Sequence, residues 1–168
     1  MPKFVIIYAT NISHMDASDP FKKLVSEAKE FYQSIGKIKC PAFNAEVHFT
    51  SEGFHHLRYD RSLKERSKLE RRNKLSHIAA AVETIKSSST IQEYRVTLET
   101  AGLKDAQGLR SAVKVHYYAF WAVLNKKTRV KAIVRQVENG QYNFWSVMPY
   151  WTEINGHKVF GSVRMSDE

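Results

Sequence analysis

The sequence predicts an α+β fold, with N-terminal helices packed on a small antiparallel β-meander. Three observations predict it. Apolar residues recur three and four apart through much of residues 20–86, the period of a helix with one buried face. From Ile91 onward the pattern turns to alternation, the period of a strand. Between two alternating runs stands Asn139-Gly140, whose residues accept the positive φ of a tight hairpin turn. Helices followed by hairpin-joined strands segregate helix from sheet. The 168 residues suffice for one core. A single domain, 1–168, is expected, with residues 1–42 a strand and helix extension and residues 43–168 the core.

In order along the chain, "MPKFVIIYAT" has an apolar run too short for a signal segment or a membrane span, and it reads as a buried strand. Asp19-Pro20 then opens a helix, because Asp caps well and Pro at the first position lacks only a hydrogen bond that would not form. Phe21, Leu24, Val25, Ala28, Phe31 and Ile35 carry its apolar face, and Gly36 suits its end. "AFNAEVHFT" alternates as a half-buried strand. Thr50 or Ser51 caps a short helix carrying Phe54, His55, His56 and Leu57, broken near Tyr59 to Arg61. A second helical stretch is expected from about Leu63 to Lys86, with Leu75, Ile78, Ala79, Val82 and Ile85 as its stripe. Beyond it, "IQEYRVTLE", "SAVKVHYYAFWAVLN", "TRVKAIVRQV" and "YNFWSVMPYW" are strands, and "HKVFGSVRM" is a further edge after Asn155-Gly156.

The charge balance is +9, from 26 Lys and Arg against 17 Asp and Glu. Such an excess points to an anionic partner, nucleic acid before membrane. Apolar residues at 43% exclude a disordered chain. A single cysteine, Cys40, excludes an intrachain disulfide and a zinc site of cysteine pairs, and suits a reducing, cytoplasmic setting. No H-E-x-x-H, EF-hand loop, P-loop or dinucleotide glycine fingerprint occurs. Neither a metal nor a cofactor is therefore expected.

Four groups of residues carry candidate chemistry. His55 and His56 are adjacent in a helix, so they point about 100° apart, and an imidazole exchanges protons near neutral pH. The plainer reading has one histidine packed and the other solvated. The basic run around Arg61, Lys68, Arg71, Arg72 and Lys74 can neutralise phosphates, or, with Glu65 and Glu70 interspersed, form a solvated helix face. Across the Asn139-Gly140 turn, residues summing to about 279 should lie opposite one another. Arg135 then faces Asn143 or Phe144 and sits a diagonal step from Ser146, and a guanidinium beside a hydroxyl suits a phosphate. The alternative makes Ser146 a small filler. Finally, any exposed aromatics among Tyr117, Tyr118, Phe120, Trp121, Tyr142, Phe144, Trp145, Tyr150 and Trp151 can stack on bases.

A strand ending in "HFTSEGFHHL", a basic helical segment and a meander ending in "IVRQVENGQYNFWSVMP" together resemble the barnase–EndoU–colicin–RelE-type nuclease superfamily, in its phage and mobile-element branch. The resemblance covers roughly Ala45 to Trp151. It implies an RNase-like, nuclease-like core acting as a metal-independent endoribonuclease, a hydrolase that is often a toxin restrained by a cognate inhibitor. A basic nuclease commonly meets an acidic inhibitor protein. Carried onto this chain, the resemblance assigns proton exchange to His55 or His56, phosphate stabilisation to Arg135 and positioning to Ser146. The chain departs from better-known members in having two candidate histidines and no clear glutamate. Two other readings stay open: a non-catalytic RNA- or DNA-binding module, and a basic protein that meets an acidic partner.

Overall fold

The structure is a computed structural model, and it describes residues 19–104, 106–125 and 128–151. The strands expected near residues 3–9 and 157–165 lie outside the described residues. Four helices pack against a mixed, mostly antiparallel six-stranded sheet. The order in the chain is α1 (Pro20–Ile35), β1 (Lys37–Cys40), β2 (Ala45–His48), α2 (Ser51–Arg58), α3 (Lys68–Ser76), α4 (Ile78–Ser87), β3 (Glu93–Lys104), β4 (Arg110–Asn125), β5 (Thr128–Val137) and β6 (Tyr142–Trp151). Across the sheet the order is β1-β2-β6-β5-β4-β3. The last four strands form the expected antiparallel meander. The β1–β2 hairpin joins it through a parallel pairing, Val47 with Tyr142 and His48 with Asn143, so the sheet is not purely antiparallel. No helix among the described residues is long and apolar enough to cross a membrane.

Local chemistry sets the element ends. Asp19 accepts the Phe21 N–H at 2.9 Å and caps α1. Gly36, with φ of 64°, ends it in a conformation that a side chain would resist. Phe31 is exposed and Tyr32 takes the buried place on this helix. Thr50 caps α2. The stretch expected as one helix from Leu63 to Lys86 is instead two helices and a loop. Asp60 draws in the Ser62 N–H, the Ser62 hydroxyl and the Lys64 N–H, which holds residues 60–64 in a turn. Ser67 and Glu70 then form a reciprocal capping box at the start of α3. His77 separates α3 from α4 with non-helical backbone. Ala79 is exposed and Ala81 buried, because the break rotates the stripe.

The main core lies between the helices and one face of the sheet. Tyr32 packs at ring distances of 5.3, 5.2 and 5.9 Å from Phe49, Phe54 and Phe144, and Phe49 stacks on Phe144 at 4.7 Å. Each buried aromatic of this kind contributes about 1.5–3 kcal/mol, with ~0.5–1.5 kcal/mol more per well-placed ring pair. The Tyr32 hydroxyl is buried without a hydrogen-bond partner among the described residues, and burial pushes its pKa well up. A second, smaller cluster on the opposite face contains strand residues alone: Val115, Tyr117, Ala119, Ile133 and Met148, flanked by Val113, Val137, Trp145 and Tyr150. The alternation in "SAVKVHYYAFWAVLN" places Val113, Val115, Tyr117 and Ala119 there, while Val123 further along the strand is exposed.

The predicted register holds near the turn, with Arg135 opposite Asn143. A bulge at Trp145 then shifts it, pairing Val134 with Phe144 and Ile133 with Ser146. Helix α2 lies close on β6 at this point. A Cβ on Gly53 would stand 2.4 Å from the Phe144 carbonyl oxygen and 2.5 Å from the Tyr32 hydroxyl. Gly53→Ala therefore forces helix and strand apart. A loss of ~1–3 kcal/mol, as for other overpacked sites, is expected in urea denaturation. Unchanged stability would show that α2 yields without cost.

Candidate functional site

The face away from the helices gathers polar side chains from four elements. The strand alternation points Glu93, Arg95, Thr97 and Glu99 of β3 to the same side as Tyr117 of β4, given the pairings Arg95 with Tyr117 and Thr97 with Val115. The Glu99 carboxylate is the centre. One of its oxygens accepts from the Tyr117 hydroxyl at 2.8 Å, the Thr97 hydroxyl at 3.0 Å and Arg61 at 2.5 Å. The other faces the Arg135 guanidinium at 3.6 Å. Arg135 also donates to Glu52 of α2 at 3.1 Å. Its guanidinium carbon lies 4.5 Å from the centre of the Trp145 ring, and Arg95 covers Tyr117 at 4.9 Å.

Burial alone would raise the Glu99 pKa. The hydroxyl bonds from Tyr117 and Thr97, with Arg61 and Arg135 beside them, overcome it and hold the carboxyl below its ordinary value of 4.5. Glu99 is therefore ionised at neutral pH. Burial first, and the bond to Glu99 next, push the Tyr117 hydroxyl up, so it remains a donor. Several buried donors here have no acceptor among the described residues: Arg135 Nε, two nitrogens of Arg95 and the indole N–H of Trp145. Buried donors of that kind each cost ~1–3 kcal/mol unless something accepts from them.

Of the two histidines, His56 reaches this neighbourhood. It is 4% exposed, its ring stacks on Trp145 at 4.3 Å, and Arg66 donates to its carbonyl at 3.2 Å with a second nitrogen 3.4 Å from the ring. His55 is exposed and stacks on Tyr59 at 4.4 Å, away from Trp145. Arg135 and His56 thus meet through the same indole. Ser146 is wholly buried and accepts from Lys74 Nζ at 2.8 Å. Lys74, 6% exposed, belongs to the interior of the α3–β6 contact. Arg61 enters the Glu99 cluster. Lys68 and Arg71 lie instead between α3 and α1, beside Phe21, and Arg72 is exposed. Trp151 ends β6 opposite Thr128, and its side chain lies outside the described residues. A separate pair, buried Lys131 and half-exposed Glu93, sits at 3.0 Å, with the Lys131 ammonium against Trp121 and Tyr150.

Glu99, Arg95 and Glu52 went unnoticed as site residues in the sequence, and Tyr117 was read there only as an aromatic that could stack on bases. The usable signal was the strand alternation, which sets Glu99 and Tyr117 on one face once β3 and β4 pair. Among the described residues, no group of three or more His, Cys, Asp or Glu side chains is placed to hold a metal ion. Comparison with family models, curated proteins and solved structures gives no match.

The lowered Glu99 pKa has a defined sign. A carboxyl bound more tightly when ionised stabilises the fold above its unfolded pKa, and that contribution is lost as pH falls through the folded value. Glu99→Gln is expected to be less stable than wild type near pH 7, with the gap closing as pH falls below 4.5 through the folded value. Urea midpoints across that range measure it. A gap that persists in acid would mean that the amide disturbs packing and not charge.

Proposed function

We propose that this chain is an RNase-like endoribonuclease whose site is the Glu99 cluster and the adjoining His56–Trp145–Arg135 stack. One observation carries the reading: two guanidinium groups, a phenol and an ionised carboxylate converge on one strand face, beside the helix that bears the paired histidines. RNA cleavage needs these groups. The 2′-hydroxyl attacks the adjacent phosphorus and gives up its proton, the bond to O5′ breaks, and O5′ takes a proton. Glu99, ionised and partly exposed, is an acceptor for the first proton. A histidine of α2 supplies the second. Arg135 and Arg61 exchange carboxylate for phosphate, to which guanidinium forks are well matched, and stabilise the charge that grows in the transition state. The unmatched donors of Arg95, Arg135 and Trp145 support an anionic ligand on this face.

A second reading has its own observation. His56 is almost completely enclosed and both Arg61 and Arg135 already hold carboxylates, which suits a binding surface without turnover. The two separate in a cleavage assay on RNA with EDTA present. Arg135→Ala is expected to lose ~100–1000-fold in rate. The variants His55→Ala and His56→Ala, made singly, identify the acid as the one whose loss removes the alkaline limb of the pH profile. Wild-type protein that binds RNA and leaves it intact would establish the binding module instead.

A further inference from the structure

A second basic site lies away from the Glu99 cluster, in a cleft of about 420 Å³ where α1 faces α3 and the end of α2. Lys22, Arg58, Lys68 and Arg71 line it, with Asp19 as its one acidic group. We propose that this cleft binds a phosphate group, with the backbone of a nucleic-acid strand as its source. In naming that source the proposal rests on the RNA reading above, but it does not require that RNA be cut.

Two of the cations share one aromatic seat. Phe21, buried at the start of α1, holds both on its ring: the Arg71 guanidinium at 4.8 Å and the Lys68 ammonium at 5.2 Å. Arg71 is only 15% exposed and pairs with Glu65 through one terminal nitrogen. The Nε–H groups of Arg71 and Arg58 are both buried with no acceptor among the described residues. Asp19 is already engaged, capping the Phe21 N–H at 2.9 Å and lying 4.0 Å from Lys68. Four cations thus face two carboxylates, Asp19 and Glu65, that already have partners, and two guanidinium groups have donors to spare. A tetrahedral anion with several acceptor oxygens matches that arrangement. The volume falls in the range of small-ligand sites, about 300–1,000 Å³.

Placement on the chain favours a strand as the source. The segment from Arg58 to Arg71 supplies cations in both directions. Arg61 reaches Glu99 and Arg66 holds His56, whereas Arg58, Lys68 and Arg71 turn to the cleft. A strand held at the Glu99 cluster has a second cationic anchor on the far side of the same loop.

The test is a titration of the full chain with pyrophosphate and, separately, with a short single-stranded oligoribonucleotide, followed by the amide NMR shifts of residues 21–25. Three variants are compared: Arg58→Gln, Lys22→Gln and Lys86→Gln. Lys22 is exposed on α1, so its replacement leaves the fold alone even if Arg58→Gln does not. Lys86 lies in the last turn of α4, is exposed and does not line the cleft, so it controls for net charge. The expected result is oligonucleotide binding that shifts residues 21–25. Arg58→Gln should weaken it by roughly tenfold. Each cleft variant should also lower the slope of log affinity against log salt by about 0.7, with Lys86→Gln close to wild type. Pyrophosphate binding without oligonucleotide binding would support the phosphate site and replace the strand by a free phosphorylated ligand. Shifts absent from residues 21–25 with both probes, or equal weakening by all three variants, would overturn the proposal. Wild-type protein that leaves the oligoribonucleotide intact, with cleft binding present, would count against the ribonuclease reading and leave this one standing.

Discussion

The approach of α2 to β6 at Gly53 is the constraint on which the site depends. Only a residue without a side chain lets the helix backbone come this near the Phe144 carbonyl. At that distance Phe54 and Leu57 enter the main core, and the opposite consequence follows on the same helix. Glu52 and His56, four residues apart and so on one face, fall on Arg135 and Trp145. Packing of the apolar side of α2 and placement of its polar side are therefore one event. The tight Tyr32, Phe49 and Phe144 contacts beneath it make that placement stiff, since close-packed interiors do not deform gradually.

The bulge in β6 is the second contribution. An unbroken alternation would put Phe144 and Ser146 on one face and Trp145 on the other. The extra residue lets Phe144 and Val147 both serve the main core, while Trp145 turns to the opposite cluster and Ser146 reaches Lys74 in the interior. Bulges commonly re-aim a side chain in this way. Here the result is an indole that touches His56 from a helix and Arg135 from the neighbouring strand, joining two elements that share no backbone hydrogen bond.

Charge is distributed unevenly between the two basic regions. On the strand face, Arg61 and Arg135 are offset by Glu99 and Glu52, which lets guanidinium groups sit half-buried at tolerable cost. Between α1 and α3 the compensation is thinner, with Asp19 and Glu65 set against four cations. Exposed ion pairs such as Lys37–Glu46 and Lys86–Glu83 contribute little, at most about 1 kcal/mol each. The excess of positive charge in the composition is thus a property of particular surfaces, and its significance lies in where compensation is missing.

Much of the secondary structure was legible because it follows from local chemistry. Asp19, Gly36 and Thr50 mark their helix ends by capping, and the Asn139-Gly140 hairpin sets Arg135 against Asn143 through turn geometry alone. The split between α3 and α4 was not legible, because a helical period continues across His77, where the backbone leaves the helix while the ring bonds the Asn73 carbonyl. Site residues divide in the same way. The sequence by itself determined that His55 and His56 diverge and that Arg135 lies near the hairpin, since both follow from the periods of helix and strand. Only the tertiary structure decided which histidine meets Trp145, that Ser146 and Lys74 are interior partners, and that Glu99 anchors Arg61 and Arg135. Those facts depend on contacts between residues dozens of positions apart, which no local period encodes.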